Sequence, residues 1–78
     1  MRVLVTFMAD MRRFAPNDAR GPQPYEVGAG AAVADLLSMI GIPPELDITI
    51  GVDGELGGRD TPLRDGADVM IVSPMEGG

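Results

Sequence analysis

Residues 63–78 read LRDGADVMIVSPMEGG, and we interpret the rest of the chain as a platform that presents the end of this stretch. The dipeptide Asp65-Gly66 is a turn signal, and residues 69–72 form an apolar run of strand length. Pro74 has no backbone N–H to donate to a sheet, so strand pairing should stop there. This stretch therefore predicts a turn, a strand and a short terminal tail.

The tail is residues 75–78, and it ends in two glycines. Gly77 and Gly78 permit almost any backbone conformation and leave the terminal carboxylate without steric cover. Fully extended, such a tail is roughly 10 to 14 Å long, which is enough to reach a buried active site in another protein. A frayed end is the ordinary alternative for small residues. The strand and proline before it favour a functional tail, so we predict a domain at 1–74 and a flexible tail at 75–78.

The composition indicates one small domain without catalytic residues of its own. The chain has 78 residues, no cysteine and no histidine. A thiol nucleophile, a thiolate metal site, the usual acid-base group and the commonest metal ligand are therefore all missing. The acidic residues lie on turns and alternate strand faces without the spacing of a calcium loop. We expect no enzyme, no metal site and no bound cofactor.

The charge of the chain indicates what kind of partner it has. Its formal net charge is −6 and it contains no lysine, which argues against nucleic acid and anionic membranes. A positively charged protein partner fits better. No apolar run has membrane-spanning length, and residues 1–2 lead directly into a strand pattern without a secretory segment. We therefore expect a cytoplasmic protein.

Residues 1–27 predict two strands joined by a long connection. Residues 2–7 alternate, with Val3, Val5 and Phe7 on one face, and residues 25–27 follow two prolines as a late or edge strand. The connection 8–20 predicts a short helical turn. It contains Arg12, Arg13 and Arg20, half of the six basic residues. They are interpreted either as a solvated loop surface or as a local docking patch.

Residues 33–40 predict the main helix, because their apolar residues recur at helical spacing and Gly41 follows as a terminator. Residues 47–53 and 55–56 predict two strands joined by a hairpin turn at Asp53-Gly54. The order predicts an α+β fold, a mixed sheet of four to five strands with one helix packed across it and the last strand beside the first. This is the element order of a ubiquitin-like β-grasp domain.

Several sequence blocks extend this interpretation to a family. They cover most of the chain and are 3–5, 7–9 with Arg12, 33–37, 52–55, 60–69 and 73–78. In order and spacing they resemble the MoaD/ThiS family of ubiquitin-like sulfur-carrier proteins. Pro74 and Met75 resemble MoaD, the small subunit of molybdopterin synthase, more than the thiamine carrier ThiS.

The resemblance implies a mechanism in which the chain contributes only its end. An adenylating enzyme of the ubiquitin-activating type (MoeB/ThiF-like), using ATP and magnesium, would convert Gly78 to an acyl-adenylate. A persulfide sulfur donor would then leave a thiocarboxylate on Gly78. For a MoaD-type carrier the sulfur goes to the molybdopterin precursor, and the chain is the small subunit beside a larger MoaE-like synthase subunit.

The resemblance also implies which residues meet partners. Gly77 and Glu76 belong to the tail, and the partner-binding residues are expected to be Phe7, Met8, Pro74 and Met75. Met11 is expected to be exposed alongside Met8, whereas Met70 is expected to face the sheet or the core.

The chain departs from the family pattern at four positions. Met8 stands where an aromatic residue is frequent, and Glu76 stands where a small residue is frequent. Ala32 stands where a helix-capping threonine is frequent, which removes a bond worth about 1 kcal/mol. Arg13 stands where an acidic residue is common.

Three other functions remain open at this point. The chain could carry sulfur for ThiS-like or other pathways, or it could be a protein modifier conjugated through Gly78 to lysines of other proteins. It could also be an interaction module that binds through its sheet. Deletion of Gly77 and Gly78 separates the last of these, because a docking module would keep its function.

Overall fold

The computed structural model describes residues 1–18 and 20–73, which form a mixed sheet with a helix packed on one face. The strands are β1 (Arg2–Met8), β2 (Gln23–Glu26), β3 (Thr49–Val52), β4 (Glu55–Gly57) and β5 (Asp68–Val72), and the helix is α1 (Val33–Ile40). The predicted α+β architecture is confirmed, and the sheet has five strands.

The strand order is β2-β1-β5-β3-β4, so the first and last strands lie side by side at the centre. β1 and β5 are parallel, whereas the other neighbouring pairs are antiparallel. Parallel strands cannot be joined by a tight hairpin and need a crossover connection. Helix α1 lies in that connection, as the predicted order requires.

The core lies between the sheet and α1. Alternate residues of the central strands point into it, because side chains on a strand alternate between the two faces. Val3 and Val5 of β1 are fully buried, and Phe7 is 6% exposed. The buried residues of α1 are Val33, Leu36 and Leu37, which confirms the predicted apolar stripe.

Strand β2 begins earlier than predicted, at Gln23 rather than at 25, and it includes Pro24. Its neighbour is β1, where Pro24 lies opposite Leu4. Because β2 is at the edge of the sheet, one of its two sides has no neighbouring strand. A proline whose missing N–H would lie on that free side interrupts no hydrogen bonds of the sheet. This explains why the prolines did not delay the strand.

The connection after β1 contains two 3₁₀ segments, Ala9–Phe14 and Pro16–Asp18. The predicted helical turn is therefore present. Met11, which was expected to be exposed, is instead 1% exposed and belongs to the core. That prediction was wrong because residues three apart share a face in a 3₁₀ helix, and here Met11 and Phe14 both pack against the core.

The amino end of α1 is capped by backbone carbonyls. Val33 N donates to Thr61 O at 2.9 Å and Ala34 N to Arg59 O at 2.7 Å. Ala32 has no side-chain acceptor, but its own N–H donates to Asp35 Oδ2 at 2.9 Å. The expected loss of a capping bond at Ala32 is thus offset, because the segment before Leu63 supplies acceptors for the first helical N–H groups.

The turn between β3 and β4 is fixed by Asp53. Asp53 (φ 53°) and Gly54 (φ 84°) both adopt left-handed conformations, which is typical of a type I′ hairpin turn and confirms the predicted signal. Asp53 Oδ1 accepts from Asp68 N at 2.9 Å, and Oδ2 lies 3.2 Å from the Arg64 guanidinium. The turn is thereby tied to the start of β5.

The cap at α1 predicts that two substitutions differ in effect. Asp35→Ala should lower the free energy of unfolding by about 0.5–1.5 kcal/mol, because it removes the acceptor of Ala32 N–H and a negative charge at the helix amino end. Ala32→Thr should change it by less than about 0.5 kcal/mol, since the first donors already have acceptors. Urea denaturation measures both, with the exposed Asp47→Ala as control. A gain of about 1 kcal/mol for Ala32→Thr would contradict this account.

The Asp53 contacts predict a dependence of stability on pH. The Asp68 N–H and the Arg64 guanidinium hold the pKa of Asp53 below its ordinary value, although partial desolvation opposes them. Protonation therefore favours the unfolded chain. The contribution is complete above the ordinary carboxyl pKa and is lost as the pH falls through the folded-state pKa.

Asp53→Asn keeps a residue that tolerates positive φ but removes the titrating group. The difference in free energy of unfolding between the native chain and Asp53→Asn, measured by urea denaturation, should therefore decrease from neutral to acidic pH. Asp47→Asn, an exposed change outside this turn, is measured beside it as the control. A difference for Asp53→Asn that stays constant or increases would show that its carboxylate is not preferentially stabilised in the folded state.

Candidate functional site

The face of the sheet opposite α1 is open, and we call it the open face. It carries the side chains that alternate with the core residues of each strand. Its members are Arg2, Leu4, Thr6 and Met8 of β1, Pro24 and Glu26 of β2, Thr49 and Gly51 of β3, Leu56 of β4, and Asp68, Met70 and Val72 of β5. No helix among the described residues covers this face.

An apolar strip crosses the open face. The strand pairings place Thr6 beside Met70, Met70 beside Gly51, and Gly51 beside Leu56. Leu56 is 83% exposed and Met70 is 44% exposed. Exposed apolar residues are common singly, but neighbours across several strands form a contact surface. We call these residues, together with Met8 and Val72, the apolar strip.

The apolar strip contains a notch at Gly51. The surface hollow there has a volume of about 220 Å³, and its lining includes Thr49, Leu56 and Met70. A Cβ atom built on Gly51 would lie 3.8 Å from the Cβ of Met70, which is an ordinary contact. The notch therefore exists because position 51 has no side chain, and it could receive an apolar side chain of a partner.

Charge is unevenly distributed over the open face. At the end where β1 begins, Arg2 Nε lies 2.9 Å from Glu26 Oε2, and Asp68 lies at the start of β5. At the opposite end, Met8 pairs with Val72. Because β1 and β5 are parallel, both strands end at this second, apolar end of the sheet. We call it the exit edge, and Ser73 follows directly from it.

The structure places the predicted site residues in different environments. Met8 is 39% exposed at the exit edge, so it is accessible, and its role in binding a partner stays a prediction. Phe7 lies in the core, where its ring meets Tyr25 edge to face at a centroid distance of 6.4 Å. Phe7 is therefore not available to a partner, and its predicted role is corrected. Burial raises the pKa of Tyr25 above its ordinary value.

The remaining predicted site residues are Pro74, Met75, Glu76, Gly77 and Gly78, and they lie outside the described residues. Their predicted roles stay predictions. The structure describes the chain up to Ser73, which directly follows β5 and lies two residues before the predicted tail.

Leu56 and Met70 were not identified as surface residues from the sequence. The expectation that Met70 faces the sheet or core was wrong, because its neighbours Val69 and Ile71 are the buried residues of β5. Strand alternation could have placed Met70 outward, since residues on either side of an inward-facing position point away from the core. Leu56 belongs to a three-residue strand, which is too short for alternation to be visible in the sequence.

Two further findings concern the described residues alone. Within 1–18 and 20–73, no group of three or more carboxylate, imidazole or thiolate residues is arranged to hold a metal ion. In the same ranges, no helix combines the length and the apolar character that crossing a bilayer requires.

Comparison with known proteins gives a family match over nearly the whole chain. The model of the ThiS family matches residues 5–78. Among solved structures, a putative molybdopterin converting factor subunit 1 from Pyrococcus furiosus is 27% identical, with a TM-score of 0.77 over 95% of this chain and 98% of that one.

Two structures from Haloferax volcanii share the fold at lower identity. The modifier protein SAMP1 is 20% identical, with a TM-score of 0.75 over 100% of both chains. The HVO 2177 protein is 21% identical, with a TM-score of 0.80 over 100% of this chain and 87% of that one. These likenesses support the ubiquitin-like β-grasp fold.

A curated relative matches a shorter region. Protein RnfH of Halorhodospira halophila is 37% identical over 57 residues, which are 65% of this chain and 59% of that protein. The match therefore spans less than two thirds of the relative. The ThiS family match, in contrast, covers residues 5–78, which include the second half of β1 and all of the later strands and α1. The chain belongs to the ThiS family, which is a family of small ubiquitin-like sulfur carriers of the ThiS/MoaD type.

Proposed function

We propose that the chain is a sulfur carrier whose C-terminal Gly78 is converted to a thiocarboxylate that donates sulfur in molybdenum cofactor biosynthesis. The observation that carries the proposal is the ThiS family match, which extends to residue 78. The likeness to a putative molybdopterin converting factor subunit supports the molybdenum cofactor pathway over the others. In that pathway the chain is the small subunit beside a larger MoaE-like synthase subunit.

The chemistry begins with activation, because a carboxylate is a poor acyl donor. An adenylating enzyme of the MoeB/ThiF type joins the Gly78 carboxylate to AMP and releases pyrophosphate from ATP, with magnesium as its cofactor. The terminal sulfur of a protein persulfide then attacks the carbonyl carbon, and AMP leaves. A thiol of the donor cleaves the S–S bond, which leaves a thiocarboxylate on Gly78 and a disulfide on the donor.

The carrier's own contribution is geometric. β5 ends at the exit edge, so the residues after Ser73 start from a fixed point beside the apolar strip. Two glycines at 77 and 78 have no side chains to obstruct a narrow catalytic channel. The partner enzymes supply the catalytic groups. Since activation needs ATP, we expect the protein in the cytoplasm.

The apolar strip is the surface on which we expect these enzymes to dock. Leu56 and Met70 are large, exposed and adjacent across the notch at Gly51, and interfaces are centred on such anchors. Met8 continues the surface to the exit edge. An enzyme seated on the apolar strip therefore has its active site within reach of the tail.

Mass spectrometry tests the proposed chemistry. The intact chain, incubated with ATP, magnesium, an adenylating enzyme and a persulfide donor, should gain the mass difference between one sulfur and one oxygen atom. A variant lacking Gly78 should gain nothing, because the reacting carboxylate is displaced from its position. Glu45→Gln, an exposed change after α1, should behave like the native chain.

Different outcomes separate the candidate functions. Transfer of sulfur from the product to a molybdopterin precursor supports the proposed pathway, whereas transfer to a thiamine precursor overturns it. Covalent attachment of the chain to lysines of other proteins would identify a modifier. Absence of both adenylate and sulfur gain with several adenylating enzymes would favour an interaction module.

The docking surface makes a separate prediction. Leu56→Gln should raise the KM of the adenylating enzyme for the carrier by roughly 5- to 30-fold with little change in kcat, because it removes an exposed contact and not the reacting group. Met39→Gln is the matched control, since Met39 is 54% exposed on α1, away from the open face. Equal effects of the two substitutions on KM would mean that the apolar strip is not the docking surface.

A further inference from the structure

A second surface feature lies in the connection after β1, apart from the apolar strip. It is a hollow of about 430 Å³ whose described lining residues are Ala9, Arg12, Arg13 and Arg20, and we call it the arginine hollow. Half of the six basic residues of an acidic chain meet there. We propose that the arginine hollow binds a carboxylate-rich segment of a protein partner.

The local structure holds two of these arginines in place. Met11 is buried in the core and fixes the 3₁₀ segment Ala9–Phe14 against the sheet, so Arg12 and Arg13 are directed to solvent. The guanidinium carbon of Arg13 lies 5.0 Å from the centroid of the Phe14 ring. This cation–π contact limits the rotamers of Arg13, so that Arg13 loses less conformational entropy when a partner binds.

The arginines are not neutralised by the described side chains around them. Among the side chains of residues 1–17 and 20–73, the ion pairs join Arg2 to Glu26 and Arg64 to Asp53. Asp10 belongs to the same segment, but in those ranges it makes no ion pair with the arginines of the hollow. With respect to the side chains of residues 1–17 and 20–73, their guanidinium groups are therefore open to carboxylates of a partner.

The charge of the whole chain decides what kind of anion can approach. Residues 9–20 contain three arginines and two aspartates, so they are net positive, while the chain as a whole carries −6. An extended polyanion such as nucleic acid would overlap the acidic remainder and be repelled. A short acidic protein segment can contact the hollow alone.

Because the lining of the arginine hollow is exposed, the hollow is better suited to bind carboxylates of a protein than to enclose a phosphate. All three arginines are exposed, and no buried polar side chain lines the described part of the hollow. Compact phosphate sites use converging, partly buried donors and backbone N–H groups. Arginines fanned around an open hollow suit several carboxylates presented by a second surface.

The position of the arginine hollow relates it to the carrier's partners. The 3₁₀ segment begins directly after Met8, which pairs with Val72 at the exit edge. A protein that receives the residues after Ser73 therefore meets the hollow as well. This placement of the partner rests on the proposed sulfur-carrier function, whereas binding of an acidic segment does not.

Titration of the isotope-labelled full chain with an oligoglutamate peptide, followed by NMR, tests the proposal. The shifted amide signals should concentrate in residues 9–14 and at Arg20. Arg12→Gln with Arg13→Gln should weaken binding by roughly 3- to 30-fold at low ionic strength, and physiological salt should weaken it for the native chain. Thermal unfolding checks that the variant is folded.

The matched control is Arg2→Gln with Arg64→Gln, which removes the same net charge at exposed sites elsewhere. Equal weakening by both double variants, or shifts spread over the open face, would overturn the proposal. Tighter and equally localised binding of pyrophosphate would also overturn it, because the hollow would then be a small-anion site. None of these results depends on Gly78, so they are separate from failure of the sulfur-carrier assay.

Discussion

The parallel pairing of β1 with β5 is the constraint on which the rest of the structure depends. Two hydrogen bonds join the turn before β5 to the start of β1. Arg2 N donates to Asp65 Oδ1 at 2.8 Å, and Gly66 N donates to Arg2 O at 2.7 Å. A parallel pair forces a crossover, and the crossover carries α1 onto one face. The same pairing leaves the other face open and makes both central strands end at the exit edge.

The crossover is secured by contacts that are distant in sequence. The carbonyls of Arg59 and Thr61 cap α1, and the Arg59 guanidinium donates to Leu46 O at 2.7 Å. The irregular segment after β4 thus joins both ends of the helical connection to the sheet. A small domain has a limited core, so its backbone hydrogen bonds matter for its stability. Here a single segment provides partners for the first N–H groups of α1 and for the Leu46 carbonyl.

The surface is divided according to the direction of the central strands. Ion pairs and acidic residues gather where β1 and β5 begin, and apolar side chains gather where they end. The arginine hollow continues from the apolar end. Apolar side chains and positive charge are therefore neighbours at the exit edge of a chain whose net charge is −6. Under the proposed function, this polarity is what would orient the chain on an adenylating enzyme.

The sequence by itself determined the element order, the helix at 33–40, the turn at Asp53-Gly54 and the family, because these depend on periodicity, turn residues and the order of short blocks. Only the tertiary structure decided which apolar residues are buried in the core and which stay exposed on the surface. Phe7 and Met11 enter the core while Leu56 stays exposed, because burial depends on which strands become neighbours, and that pairing joins residues far apart in the chain.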